Sequence, residues 1–316
     1  MLSYVEDAKL RFGDSFSRYT RSSKDMALIN KILNIFLPIV TFSLLVVFMP
    51  ISILFSLFGF IRNSKESDKV SGKVVIITGS SSGIGEHLAY EYARRGAYLT
   101  LVARREDRLR LVANRCRRLG SPDVAVVRGD VSVIEDLDHL VNNAGIAEAK
   151  FFEDYLQISD VLPIMNTNFW GPVYTTHFAI PHLKKTKGKI VAVASPAGWS
   201  GVPRMSIYAV TSSSLASKAA MINFYETLRI ELGPEIGVTI VFPGLVENEN
   251  TNPDLLAEKQ DWSQVVAIES ATECAKAVVN GICRGKTFLA EPSWVRVLFW
   301  LSILCPELLI SKPKRN

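Results

Sequence analysis

Val74-Val-Ile-Ile-Thr78 runs straight into Gly79-Ser-Ser-Ser-Gly83-Ile-Gly85, and this junction decides the fold. An unbroken β-branched run predicts a strand buried on both faces, as strands of a parallel sheet are. Three glycines then permit a tight turn, and a helical pattern follows to a cap at Gly96. A pyrophosphate lying in such a turn meets backbone N–H groups and the positive end of the helix. Outward from here, Tyr98–Val102, Val124–Arg128, Leu140–Asn142, Ile190–Ser195 and Val238–Phe242 read as further strands. Arg105–Leu119 carries Leu109, Val112, Cys116 and Leu119 at helical spacing before Gly120. The expected fold is α/β, a Rossmann-type doubly wound parallel sheet preceded by an N-terminal apolar membrane anchor.

A glycine trio alone fits any strand-to-helix turn, so its surroundings matter. The second strand ends in Ala103-Arg104-Arg105, where an NAD site places a carboxylate for the ribose hydroxyl. Guanidinium forks suit a 2′-phosphate instead, which makes NADP(H) the expected cofactor. The bland reading, a solvated helix start, is weakened because that position favours Asp or Glu.

The chain has 36 cationic and 31 anionic residues, a net +5 that is too small and dispersed to suggest nucleic acid. Its cysteines (116, 274, 283, 305) form no CxxC pair, and its histidines (87, 139, 177, 182) are scattered. Neither a disulfide framework nor a metal site is written here. The hydrophobicity is concentrated: Ile32–Ile61 contains no charged residue, and a membrane span needs about 20 apolar residues. Pro38 and Pro50 favour bends within it. Lys24 and Lys31 precede the run, and Arg62, Lys65 and Lys69 follow it. Basic residues on both sides suit a hairpin that enters and leaves by one face, as in the monolayer of a lipid droplet. A single tilted crossing is the alternative, and a secretory signal peptide fits poorly. The expected organisation is a polar extension (1–25), an anchor (26–62), a linker (63–70), an enzyme domain (71–290) and a C-terminal amphipathic segment with a basic tail (291–316).

With these motifs in order, the chain resembles the short-chain dehydrogenase/reductases. The matching residues are Thr78-Gly79-xxx-Gly83-x-Gly85, Asp130, Asn142-Asn143-Ala144-Gly145, Asn168, Ser195 and Pro243-Gly244. Within them it is similar to the plant 11β-hydroxysteroid dehydrogenase-like group, the steroleosins of seed oil bodies. Met26-Ala-Leu-Ile-Asn-Lys, Asn168-Phe-Trp-Gly, Pro203-Arg-Met-Ser and Glu291-Pro-Ser-Trp-Val-Arg carry that likeness. The resemblance implies NADP(H)-linked interconversion of a hydroxysterol and its ketone, with Ser195, Tyr208, Lys218 and Asn168 as the catalytic set. Ser195 would hold the substrate oxygen, Tyr208 would be the acid/base, and Lys218 would hold the nicotinamide ribose and lower the tyrosine pKa. Asn168 would position a water.

The same resemblance places the cofactor. Gly79, Ser81, Ser82, Gly83, Ile84 and Gly85 would surround the phosphates, with Arg104 and Arg105 beside the 2′-phosphate. Asp130 would meet the adenine, Asn142, Ala144 and Gly145 the ribose side, and Pro243, Gly244 and Val246 the nicotinamide. Tyr208 and Lys218 would also touch the cofactor. Implied partners are a sterol-like substrate, a membrane or lipid-droplet monolayer, and a second copy of the chain. The expected location is the lipid droplet or endoplasmic reticulum, with the enzyme domain in the cytosol.

Two departures set a rival reading beside this one. The family spaces its tyrosine and lysine four apart; here they stand at 208 and 218, as though Val210–Leu215 were inserted. On one continuous helix ten positions mean about 15 Å of rise and about 280° of rotation. The stretch between Asp130 and Leu140 is also too short for a crossover helix, which normally needs a dozen or more residues. That shortening predicts that the sheet face such a helix would cover is left bare. The rival is therefore a lipid-droplet surface protein with an impaired enzyme domain.

Overall fold

The computed structural model describes residues 35–37, 39–40, 42–44, 46–51, 54, 68–127, 136–146, 157–198, 212–247 and 268–304. It falls into two units, Met1–Lys65 and Glu66–Asn316. In the first unit the described residues between Ile35 and Leu54 are helical and their apolar side chains exposed. Among the described residues no helix is long and apolar enough to cross a membrane.

The second unit is built on seven parallel strands: β1 (Val74–Thr78), β2 (Tyr98–Val102), β3 (Val124–Val127), β4 (His139–Asn142), β5 (Lys189–Val193), β6 (Gly237–Pro243) and β7 (Phe288–Glu291). Their order is β3-β2-β1-β4-β5-β6-β7, so the sheet winds outward in both directions from the β1/β4 junction. Crevices at that switch point, beyond the C-terminal strand ends, are where such sheets bind ligands. The helices are α1 (Gly83–Arg94), α2 (Glu106–Leu119), α3 (Leu162–Met165), α4 (Gly171–Thr186), α5 (Ser212–Leu232), α6 (Ala271–Cys283) and α7 (Val295–Leu304).

Alternate side chains of each strand supply two cores. Val75, Ile77, Leu99, Leu101 and Val141 pack against Leu88 and Tyr92 of α1, Leu109 and Val112 of α2, and Val278 and Ile282 of α6. Ile76, Leu140, Ile190 and Ile240 face Leu183 of α4 and Met221, Tyr225 and Leu228 of α5. Each fully buried Leu or Ile contributes about 1.5–3 kcal/mol of transfer free energy, and the β-branched runs meet this two-sided burial without rotamer loss. The α2 helix ends at Gly120, whose φ of 117° is left-handed.

The sheet forms despite the short β3–β4 connection. Val75 pairs with His139 and Leu99 with Val124, which places β3 and β4 on opposite sides of β1 and β2. Asp138 fastens the start of β4, its Oδ2 accepting from the Val74 N–H at 2.9 Å. The second face is thin at its outer corner, where Tyr98 is 43% exposed. It is not uniformly bare, since Thr100 on the same face of β2 is buried. The C-terminal segment is partly a piece of the domain: Val295 is buried in the second core.

Candidate functional site

The turn after β1 is held in shape from β4. Thr78 Oγ1 accepts the N–H groups of Asn143 and Ala144, both at 3.1 Å. In return the Asn143 carboxamide donates to the carbonyls of Thr78 (3.1 Å) and Gly79 (3.2 Å). Two glycines are required by this closeness. Gly79 has φ +67°, and a Cβ there would lie 2.7 Å from Ala144 Cα. A Cβ on Gly85 would overlap both Asn143 Nδ2 and the Gly79 carbonyl oxygen. The result is a tight turn at the N-terminus of α1, whose backbone N–H groups suit a pyrophosphate.

At its rim Arg105 Nη2 donates to Ser82 Oγ at 2.6 Å and to Ser81 Oγ at 3.2 Å. Arg104 beside it is exposed. The Arg105 guanidinium is thus held against the outer side of the turn, and the turn's donors fit a dinucleotide.

The third part of the cleft comes from the far helices. Asn168 sits in a π-helical turn, Asn166–Trp170, between α3 and α4. Such single-turn widenings often mark functional positions. Its Oδ1 accepts from the Ile146 N–H (2.8 Å), and its Nδ2 donates to the Ile146 carbonyl (2.9 Å) and to Ser217 Oγ (3.1 Å). Lys218 follows Ser217 on α5, its Nζ donating to the Val193 carbonyl at 2.7 Å. A Cβ on Gly145 would meet Asn168 Oδ1 at 3.4 Å and Lys218 Nζ at 3.5 Å, so these three positions converge. Desolvation pulls the Lys218 pKa down to about 8. Its ammonium is therefore the main form at neutral pH, though easily discharged.

Ser195 lies just past β5, followed by the short turn Pro196–Gly198. Gly198 packs so tightly on α5 that a Cβ would sit 2.7 Å from Ile222 Cδ1 and 3.1 Å from the Lys218 carbonyl carbon. That contact brings the Ser195 turn against the Lys218 segment. Pro243 ends β6, pairing with Glu291, and Gly244 and Val246 continue from it. The structure therefore gathers Gly79, Ser81, Ser82, Gly83, Ile84, Gly85, Arg105, Ala144, Gly145, Asn168, Ser195, Lys218, Pro243, Gly244 and Val246 at the C-terminal ends of β1, β2, β4, β5 and β6. Asp130 and Tyr208 lie outside the described residues.

The Asn142 amide is buried, donating to Tyr225 Oη (2.8 Å) and Thr176 Oγ1 (3.0 Å) and accepting from Thr175 Oγ1 (2.7 Å). Its side chain ties β4 to α4 and α5. Tyr225 is likewise buried on α5, its hydroxyl bonded to Asn142 and Thr176. The residues that sequence reasoning passed over are Asn143 and Ser217. The Asn142-Asn143 doublet at a strand end was a usable signal for the first, and nothing in the local pattern pointed to the second.

Comparison with known proteins agrees with this geometry. The family model described as short chain dehydrogenase matches residues 73–259. A curated Arabidopsis thaliana protein, "11-beta-hydroxysteroid dehydrogenase-like 4A", is 82% identical over 305 residues, covering 92% of this chain and 100% of its own. Among solved structures, a short-chain dehydrogenase from Sphingobium yanoikuyae in complex with NADPH aligns with a TM-score of 0.60 at 25% identity, covering 77% of this chain and 98% of that one. One from Burkholderia phymatum in complex with NAD aligns with a TM-score of 0.62 at 24% identity, over 78% of this chain and 99% of its own, a likeness of fold.

Proposed function

The chain belongs to the short-chain dehydrogenase family of oxidoreductases, and from that premise we propose that it is an NADP(H)-dependent enzyme interconverting a hydroxysterol and its ketone. The observation that carries this reading is the convergence of Lys218, Asn168 and Gly145 beside the glycine turn. The bound nicotinamide would supply or accept hydride. This chain's own residues would do the rest. The glycine turn would take the pyrophosphate, Arg104 and Arg105 the 2′-phosphate, and Lys218 the nicotinamide ribose. Ser195 would hold the substrate oxygen and Tyr208 would pass the proton, helped by the Lys218 charge. Asn168, with both amide atoms committed to Ile146, would fix the wall of the cleft. The steroid class of substrate is supported by the hydroxysteroid dehydrogenase names of the relatives.

The apolar run Ile32–Ile61 supports attachment to a membrane or lipid-droplet monolayer, because its described side chains are exposed, Phe42 to 69%. On α4 a stripe of Trp170, Tyr174 and Phe178 is exposed as well, with the first two rings stacked at 6.0 Å. That stripe supports self-association through α4.

One observation favours the rival, an impaired surface protein. The α5 helix is continuous from Ser212, so residue 214, a serine, stands one turn before Lys218. Turnover separates the two. Full-length protein should consume NADPH with a ketosteroid, or reduce NADP with a hydroxysteroid, and should prefer these to NADH and NAD. Tight NADPH binding with no turnover across a sterol panel would favour the rival.

A further inference from the structure

We propose that Ser217 is a positioning residue for Lys218: its hydroxyl, bonded to the Asn168 amide, fixes the rotation of α5 and so aims the lysine into the cleft. The cofactor consequences rest on the proposed function, but the contact itself is a property of the fold.

The α5 helix runs from Ser212, so Ser217 and Lys218 lie in its second turn. The first four N–H groups of a helix have no intrahelical partner, and such an end is held best by contacts from outside. Consecutive helical residues point about 100° apart, so two neighbours can serve two different walls. Ser217 is fully buried and faces the π-helical turn, where its Oγ lies 3.1 Å from Asn168 Nδ2. Lys218 turns toward β5, its Nζ donating to the Val193 carbonyl at 2.7 Å.

The Asn168 amide has only one workable orientation. Its Oδ1 accepts from the Ile146 N–H at 2.8 Å, and its Nδ2 donates to the Ile146 carbonyl at 2.9 Å. A flipped amide would set donor against donor and acceptor against acceptor. The second Nδ2 hydrogen therefore goes to Ser217, whose Oγ accepts it. One amide thus joins three segments: the chain after β4, its own turn, and α5. Without the Ser217 oxygen a buried N–H would be left unsatisfied, and the amide would relieve that cost only by turning away from Ile146.

Lys218 has little room for error. A Cβ on Gly145 would meet its Nζ at 3.5 Å, and one on Gly198 would meet its carbonyl carbon at 3.1 Å. The Gly198 contact sets how near α5 comes to the end of β5, and the Ser217 bond sets how the helix is turned. An extended lysine holds its Nζ about 8 Å from the helix axis, so a rotation of about 10° carries it about 1.4 Å. That is enough to break the bond to Val193. Misplacement by about 1 Å can cost an enzyme about 100-fold in rate.

The test compares full-length wild type with Ser217→Ala, and with Ser121→Ala as control. Ser121 is also buried, its Oγ donating to the Ala97 carbonyl at 2.6 Å beside the N-terminal end of β2. Three quantities are read: hydrogen exchange of the peptide that contains Ile146, NADPH affinity by fluorescence, and the pH profile of hydroxysteroid oxidation. Ser217→Ala should speed exchange at Ile146 by about three- to tenfold and weaken NADPH binding by a similar factor, the size of one lost hydrogen bond. The limb of the profile set by tyrosine ionisation should move up by about half a pH unit or more, as the lysine charge is carried away. Ser121→Ala should lower the unfolding midpoint and leave all three unchanged, as a merely structural serine would. Wild-type exchange at Ile146 in Ser217→Ala overturns the contact. Faster exchange with wild-type NADPH affinity, or with an unmoved pH limb, overturns the positioning role. If wild type binds no NADPH, the functional reading fails, and exchange at Ile146 and over Ser217–Lys218 alone decides whether Ser217 fastens α5.

Discussion

Replacing Gly85 with alanine puts a methyl group where the Gly79 carbonyl oxygen and Asn143 Nδ2 already are. The carbonyl is backbone and cannot rotate away, so the turn must open. The Asn143 amide can swing aside only by giving up its bonds to Thr78 and Gly79. Overpacking costs about 1–3 kcal/mol. Losing two buried hydrogen bonds adds about 0.5–1.5 kcal/mol each. Stability should fall by about 2–6 kcal/mol, and part of that loss is displacement of the donors that would hold the pyrophosphate. Each 1.4 kcal/mol of lost binding is about tenfold in affinity, so NADPH should bind about 10- to 100-fold more weakly. Gly233→Ala is the control: its φ of +52° makes a side chain strained, yet nothing lies within 4 Å. It should cost about 1 kcal/mol in stability and leave NADPH affinity unchanged. Urea denaturation and fluorescence titration read both quantities. A Gly85→Ala protein with the wild-type midpoint and wild-type NADPH affinity would refute the account of the turn.

Other consequences are measurable with the same protein. Tyr225→Phe removes a hydroxyl that accepts from Asn142 and also bonds Thr176, so stability should drop by about 1–3 kcal/mol in denaturant titrations. Arg105→Glu places a carboxylate against Ser81 and Ser82, and should reverse the NADPH-over-NADH preference by at least about tenfold in kcat/KM. The Lys218 pKa is depressed from 10.5 to about 8, so the unfolded chain holds the extra proton between these values. Stability should therefore rise as pH increases from 8 to 10.5, and Lys218→Met should abolish that rise, as read by denaturation across this range.

Much of this architecture was legible because it is written in local pattern. Val74–Thr78 and Tyr98–Val102 have the very bounds read from their β-branched and apolar runs. β7 escaped, since Phe288-Leu-Ala-Glu is short and has no β-branched residue; only its pairing with β6 makes it a strand. The cleft was legible where one segment supplies both bulk and chemistry, as with Gly79–Gly85. It was illegible where a role depends on where a side chain turns. Asn142 and Asn143 are neighbours on a strand end and therefore point to opposite sides, one into the α4–α5 core and one to the glycine turn. Ser217 depends on a contact between distant segments, its Oγ accepting from Asn168 Nδ2, which no spacing announces.

The spacing of Tyr208 and Lys218 is the feature on which activity turns. Lys218 stands beside Asn168 and Gly145, and Tyr208 lies outside the described residues. The most direct measurement is NADPH consumption by full-length protein with a ketosteroid panel, run beside Tyr208→Phe and Lys218→Met. The account predicts turnover by wild type and its loss by about two orders of magnitude or more in each variant. NADPH-dependent turnover that survives both substitutions, or wild-type protein that binds NADPH and reduces none of the ketones, would contradict it.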